Sequence, residues 1–339
     1  MLDTLLGLPL LSAAFLPIYS NYSTSLNLLF FYLTWSTLVL SHPPLRVEGF
    51  GTLAVRLLFY ILPSSLFLLF DVAVPSLSVA IKAQGQIALP GRSGAKGTKG
   101  RQGVLKVTAW SIFNILLGIA LQVSIDLVLT KVLRVKSALK IVTRLPLPWG
   151  LAKDICKGFL IRGILQYYIH RHILHAPRSR IARWHRNWQL SIRAPYSFVA
   201  NYDHPVAWLL HRWLPVYLPA VIFRFHILTF QLLLALVSLE ELLVYSGYSV
   251  LPSTIILSGM ARRADAHLLT GGRGNYAPWG LLDWVHGTTI GGDVVEDMRD
   301  ELEKHHVSEK TSKALDSANG AVDNLGSRIK NRRSKGKGK

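Results

Sequence analysis

LAVRLLFYILPSSLFLLF, residues 53–70, carries a single charge, Arg56, in eighteen residues. A stretch of this length and polarity is matched to the hydrocarbon core of a bilayer. Comparable runs recur at Leu26–Leu40, Ile112–Leu129 and Ile227–Leu239, in a chain of 339 residues that is 50% apolar and only 17% charged. Several of the nine Trp lie near the ends of these runs, which favours membrane helices over the buried helices of a large soluble core.

Working outward, segments 25–41 and 54–78 read as a first membrane hairpin turning at His42-Pro43-Pro44. Residues 82–106 follow as a basic, flexible, cytosolic loop. Its PGRSGAKGTKGRQG places glycine at every third position from Gly91 to Gly103, but four repeats with no proline at the X or Y places cannot sustain a collagen helix. It also lacks the Gly-Lys-Ser/Thr of a phosphate loop. The run 108–130 is followed at 131–144 by five more positive charges. With basic flanks on both sides it is either a re-entrant pair of half-helices or a span with one basic flank translocated. Residues 151–175 read as a helix leaving the membrane, and 205–246 as a second apolar pair broken by Pro215 and Pro219. The expected division is therefore 1–150 as membrane helices, 151–292 as a histidine-bearing domain, and 293–339 as a polar helix with a disordered basic tail.

The net charge of +19 is concentrated in the loop and in the tail, where seven of the last twelve residues are basic. Such blocks suit an anionic lipid surface. No aromatic side chains interleave with them as a stacking platform would, so nucleic acid is not an expected partner. The lone Cys156 excludes an internal disulfide and a thiolate metal cluster. The N-terminus lacks a basic region and carries Asp3, so a cleaved signal peptide is not expected. Lys335 and Lys337 fit a dilysine retrieval signal of the endoplasmic reticulum, which requires a cytosolic C-terminus.

Nine of the twelve histidines fall between His170 and His286. His172 and His175 share a helix face. His170 and His175, five apart, stand roughly 140° around an ideal helix, so both reach one ion only through a widened π turn. With no thiolate available, histidine and carboxylate must supply any metal site.

His-Arg-x-x-x-His from His170, Trp184-His185, Ala194-Pro195, Asp203-His204-Pro205, Ser246-Gly247-Tyr248 and GNYAPWGLLDWVHGT from Gly274 to Thr288 follow in order. Together they resemble the sterol desaturase and fatty acid hydroxylase superfamily over about residues 155–290. The resemblance implies an all-α fold of polytopic membrane helices under a cytosolic helical cap. It also implies two iron ions held by histidine, oxygen-dependent hydroxylation or desaturation of a sterol or acyl lipid entering from the bilayer, electrons from cytochrome b5 or a reductase, and residence in the endoplasmic reticulum membrane. The family ligands carried over are His170, His175, His185, His204 and His267. Five others fall on Trp188, Gln189, Tyr245, Ala264 and Leu268. The surviving set suits one ion better than two, with His172 and His286 as further candidates. Asp203, Asp265 and the pair Glu240-Glu241 are the nearby carboxylates, the pair otherwise being neutralised by Arg212 or Arg224. His211 and His226 read as structural, and His305-His306 as exposed. A non-catalytic relative that keeps the fold to bind or organise lipid is the alternative.

Overall fold

The computed structural model describes residues 22–90, 100–251 and 256–292. The polar helix expected near 294–315, the basic tail and its lysine signal, His305-His306 and the middle of the glycine-rich loop lie outside the described residues. The regular elements among them are all helices, with two isolated bridges, Lys82 to Tyr248 and Lys140 to His226, and no sheet among the described residues.

Helix α1 (Tyr22–Ser41) turns at His42-Pro43 into α2, which runs Pro44–Arg56, widens to a π turn at Leu57–Ile61 and continues Leu62–Ala73. Pro63 has no N–H for the carbonyl four residues back, and the widened turn just before it absorbs the mismatch. After α3 (Pro75–Ile81), helix α4 runs Gly100–Leu127 and ends in a π turn at Val128–Val132. Being unbroken, α4 is not a pair of half-helices, which removes the re-entrant reading of 108–130.

Among the described residues, three helices are long and apolar enough to cross a membrane: Pro44–Ala73, Gly103–Val132 and Ile227–Val244. The first two are polar inside and apolar outside. Glu48, Thr52, Arg56 and Asp71 of α2 and Ser111, Asn114, Gln122 and Asp126 of α4 are buried, while Phe50, Leu66, Leu69 and Leu105 are more than half exposed. Gln122 Nε2 donates to Glu48 Oε1 at 2.7 Å, so these buried groups bond across the helix pair. Apolar side chains face outward because lipid, rather than water, surrounds them.

The supposed basic loop is ordered at both described ends. Lys82 is buried and paired with Asp71 at 2.9 Å, and Gly100 already begins α4. The remaining helices are α5 (Pro148–Ile169, extended by a π turn at His170–Leu174), α6 (Arg180–Asn187), α7, α8 (Ile227–Val244), α9 (Ile256–Leu269) and α10 (Leu281–Val285). Helix α7 begins Pro205–Trp208, widens to a π turn at Leu209–Trp213 and finishes Leu214–Ile222. Helix α8 packs against α2, α5 and α9, joining the membrane helices to the histidine-bearing ones.

The acidic pair on α8 is neutralised, though not by the arginines first considered. Arg162 of α5 forks onto both oxygens of Glu240 at 2.8 Å, and Arg56 of α2 meets Glu241 at 2.7 Å. Arg212 instead donates to the Tyr245 hydroxyl, and Arg224 to the Ser137 carbonyl.

Candidate metal centre

Helix α5 delivers its histidines through a change of pitch. The His175 N–H donates to the His170 carbonyl at 3.1 Å, an i to i+5 bond. That widened turn brings His170 and His175 onto one side, with ring centroids 4.7 Å apart. Helix α6 begins at Ser179, whose hydroxyl accepts from the N–H groups of Ile181 and Ala182. Its arginines point outward, while Ala182 and His185 turn inward and are wholly buried. Helix α9 ends in a Schellman turn: Gly272 N–H bonds to His267 O and Gly271 N–H to Leu268 O. This fixes His267 beside the others.

One ligand nitrogen from each of His170, His175, His185 and His267 falls within 4.8 Å of those of the other three. The opposite nitrogen of every ring is committed. His170 Nδ1 reaches the Tyr276 carbonyl at 2.6 Å, and His267 Nδ1 the Gly274 carbonyl at 2.6 Å. His175 Nδ1 reaches the His170 carbonyl at 3.0 Å, and His185 Nδ1 the Asp203 carboxylate at 2.6 Å. Each acceptor is an oxygen with no proton of its own, so the ring proton sits on Nδ1 and the Nε2 lone pair faces the centre. His170 Nε2 and His185 Nε2 stand 3.3 Å apart, and the Nε2 atoms of His175 and His267 are buried with no hydrogen-bond partner. Converging buried lone pairs repel one another, and a cation between them removes both problems. The donors fit one ion. Among the described residues no second group of His, Cys, Asp or Glu of this kind exists.

The acceptors are themselves braced. The Asp283 carboxylate accepts from the N–H groups of Tyr276 and Ala277 and from the Thr288 hydroxyl, shaping the segment that presents Gly274 O and Tyr276 O. Asp203 accepts its own neighbour's N–H, and Asn114 of α4 donates to its carbonyl. Gly274 and Asn275 both have positive φ, +74° and +51°. The Gly-Asn pair and the acid nine residues after the glycine were the sequence signals for this support, and spacing alone did not reveal it.

Three sequence candidates are not brought to the centre. His204 caps α7, its Nδ1 accepting from the Val206 N–H, and stacks on Trp184 at 4.2 Å. His172 is exposed and stacks on Tyr168. His286 is exposed, tied to the Leu282 carbonyl and lying against Tyr167. Of the carboxylates, Asp203 orients His185, while Asp265 takes a bond from Gln84 and is raised to about 6 by burial. Where the family pattern would continue with histidine, Tyr245, Ala264 and Leu268 belong to a single apolar cluster, and Trp188 packs against it. Gln189, the fifth replacement, is buried in the turn after α6.

Burial, and then neighbouring imidazoles, depress the basicity of these rings: His175 to about 4, His267 to about 3, and His170 well below the ordinary value. A depressed value means that the unfolded chain takes up the proton first. The stabilisation is complete above about pH 6.5 and is lost as pH falls toward the folded values. Melting of the metal-free protein in detergent should therefore be insensitive to pH above neutrality and fall steadily from pH 6.5 to 4. His267→Ala should flatten that fall, and an unchanged slope would contradict the assignment.

Residues 155–288 match the family model described as fatty acid hydroxylase. No solved structure matches the chain.

Proposed function

We propose that the chain, whose residues 155–288 match the fatty acid hydroxylase family model, is a membrane oxidoreductase that hydroxylates or desaturates a sterol or fatty-acyl lipid. His170, His175, His185 and His267 hold one non-heme iron ion. When bound, the iron supplies activation of oxygen toward an unreactive C–H bond. The chain's own part is to keep His170, His175 and His267 neutral, orient the four rings through Asp203, Gly274, Tyr276 and the His170 carbonyl, and exclude water by burial. The lipid arrives from the bilayer along the helices after Pro205, and cytochrome b5 or a reductase delivers electrons. The centre and the C-terminus face the cytosol at the endoplasmic reticulum. The single observation that carries this reading is the convergence of four Nε2 lone pairs whose Nδ1 protons are already spoken for.

One observation favours a second reading, a relative that keeps the metal and the fold without oxygen chemistry. The apolar cluster occupies positions where the superfamily places further histidines. Metal analysis and lipid turnover by the purified, detergent-solubilised protein separate the outcomes. The enzyme reading expects about one equivalent of iron, lost in His170→Ala and His185→Ala, with oxidised lipid formed when a reductant is supplied. Iron without turnover would give the second reading. Iron below about a tenth of an equivalent would exclude a resident metal centre.

A further inference from the structure

A fifth imidazole lies against two of the four, His170 and His185. His211, in the π turn of α7, is 2% exposed, and its ring centroid stands 4.3 Å from that of His170 and 6.5 Å from that of His185. Neither of its ring nitrogens has a hydrogen-bond partner. Neither polar neighbour bonds to the ring: Arg212 donates through Nη2 to the Tyr245 hydroxyl at 2.7 Å and leaves its Nε unpartnered, and Gln166 donates to the His211 main-chain carbonyl. A buried donor or acceptor left unpaired costs about 1–3 kcal/mol. Packing alone does not account for the residue, because leucine would fill the same volume without that cost.

The backbone holds the ring where it is. Pro215, four residues on, has no N–H to offer the His211 carbonyl, so the helix widens and Gln166 supplies the missing donor. On α7, Trp208 and Trp213 press on Gly118 of α4 so closely that an added Cβ there would lie 2.8 Å and 2.7 Å from them. The turn is thus clamped from the membrane side. The two π turns His170–Leu174 and Leu209–Trp213 each carry one of the two imidazoles that meet, His170 and His211.

We propose that His211 is a ligand of the same ion, making a mononuclear centre of five imidazoles drawn from α5, α6, α7 and α9. This rests on the metal-site reading above and adds a donor from outside the histidine motif. An all-nitrogen set selects a first-row transition ion over magnesium or calcium.

Cobalt(II) serves as the probe for the full-length protein in detergent. X-ray absorption of the loaded wild type should count five imidazoles, and four would overturn the proposal without touching the four-histidine site. His211→Leu should lower cobalt affinity by about tenfold or more, since disturbing an outer partner alone already costs about 10–100-fold. It should also change the visible d–d spectrum. Unchanged affinity and spectrum would make His211 a packing residue and overturn the proposal. Where His211→Leu fails to fold, the wild-type count decides. A wild type that binds neither cobalt nor iron would bring down the four-histidine reading itself, and this proposal with it.

Discussion

Gly272→Ala is expected to empty the metal centre, while Gly271→Ala leaves it loaded. Both glycines close α9 and both have positive φ, +68° at Gly271 and +91° at Gly272. An alanine at either pays for the left-handed backbone, about 1–2 kcal/mol. They differ in what a Cβ would meet. At Gly271 nothing lies within 4 Å, whereas at Gly272 the new carbon would sit 2.5 Å from His175 Nε2, the ligand atom, and 2.8 Å from Leu190. His175 cannot retreat freely, because its Nδ1 is bonded to the His170 carbonyl within the π turn. A metal site tolerates misplacement of about 0.5 Å, and relieving this contact needs more. Iron or cobalt affinity in Gly272→Ala should fall about 100-fold, and its metal-free melting temperature should lie below that of Gly271→Ala, which has no such contact to relieve. Equal affinities in the two variants would show that His175 Nε2 does not face the ion.

The two glycines illustrate what the sequence makes legible. Four of the five family histidines carried over by motif do meet, and the five-residue step from His170 to His175 announced the π turn that joins them. Local geometry sufficed there because the reach of a side chain around a helix follows from pitch alone. His204 was read as a ligand because it stands in the motif, but the adjacent Pro205 starts α7 and makes that ring the cap of an unbonded N–H. His211 was set aside as structural because no motif contains it. Its inward aim follows from Pro215 and from the packing of two tryptophans on Gly118, and of these only the proline is visible in sequence. The membrane helices were legible in composition, since outward-facing apolar residues need no partner. The partners of Glu240 and Glu241 were not, because Arg162 and Arg56 come to them from 78 and 185 residues away.

Removing Arg162 alone should cost about 3–5 kcal/mol of stability, whereas removing it together with Glu240 should recover most of that loss. The Arg162 side chain is 1% exposed and that of Glu240 10%, so whichever charge remains after a single substitution is stranded away from water. Arg162→Met keeps length and apolar volume, and it leaves the Glu240 carboxylate with both fork hydrogen bonds broken. Arg162→Met with Glu240→Leu replaces the pair by side chains that pack in the same space. The consequence reaches the metal centre because of where the pair stands. Arg162 lies on α5 about two turns before His170, and Glu240 anchors that helix to α8. The next residue on α8, Glu241, takes Arg56 from α2 and the Asn201 side chain at 3.0 Å, and Asn201 opens the short segment that carries Asp203 to His185. Two adjacent carboxylates thus join a membrane helix, the helix of the first two ligands and the carboxylate that orients a third. Thermal melting of the single and double variants in detergent should give a large drop and then a recovery, with metal affinity following the same order. A double variant as unstable as the single one would mean that the pair's value lies in its geometry rather than in the penalty for a stranded charge.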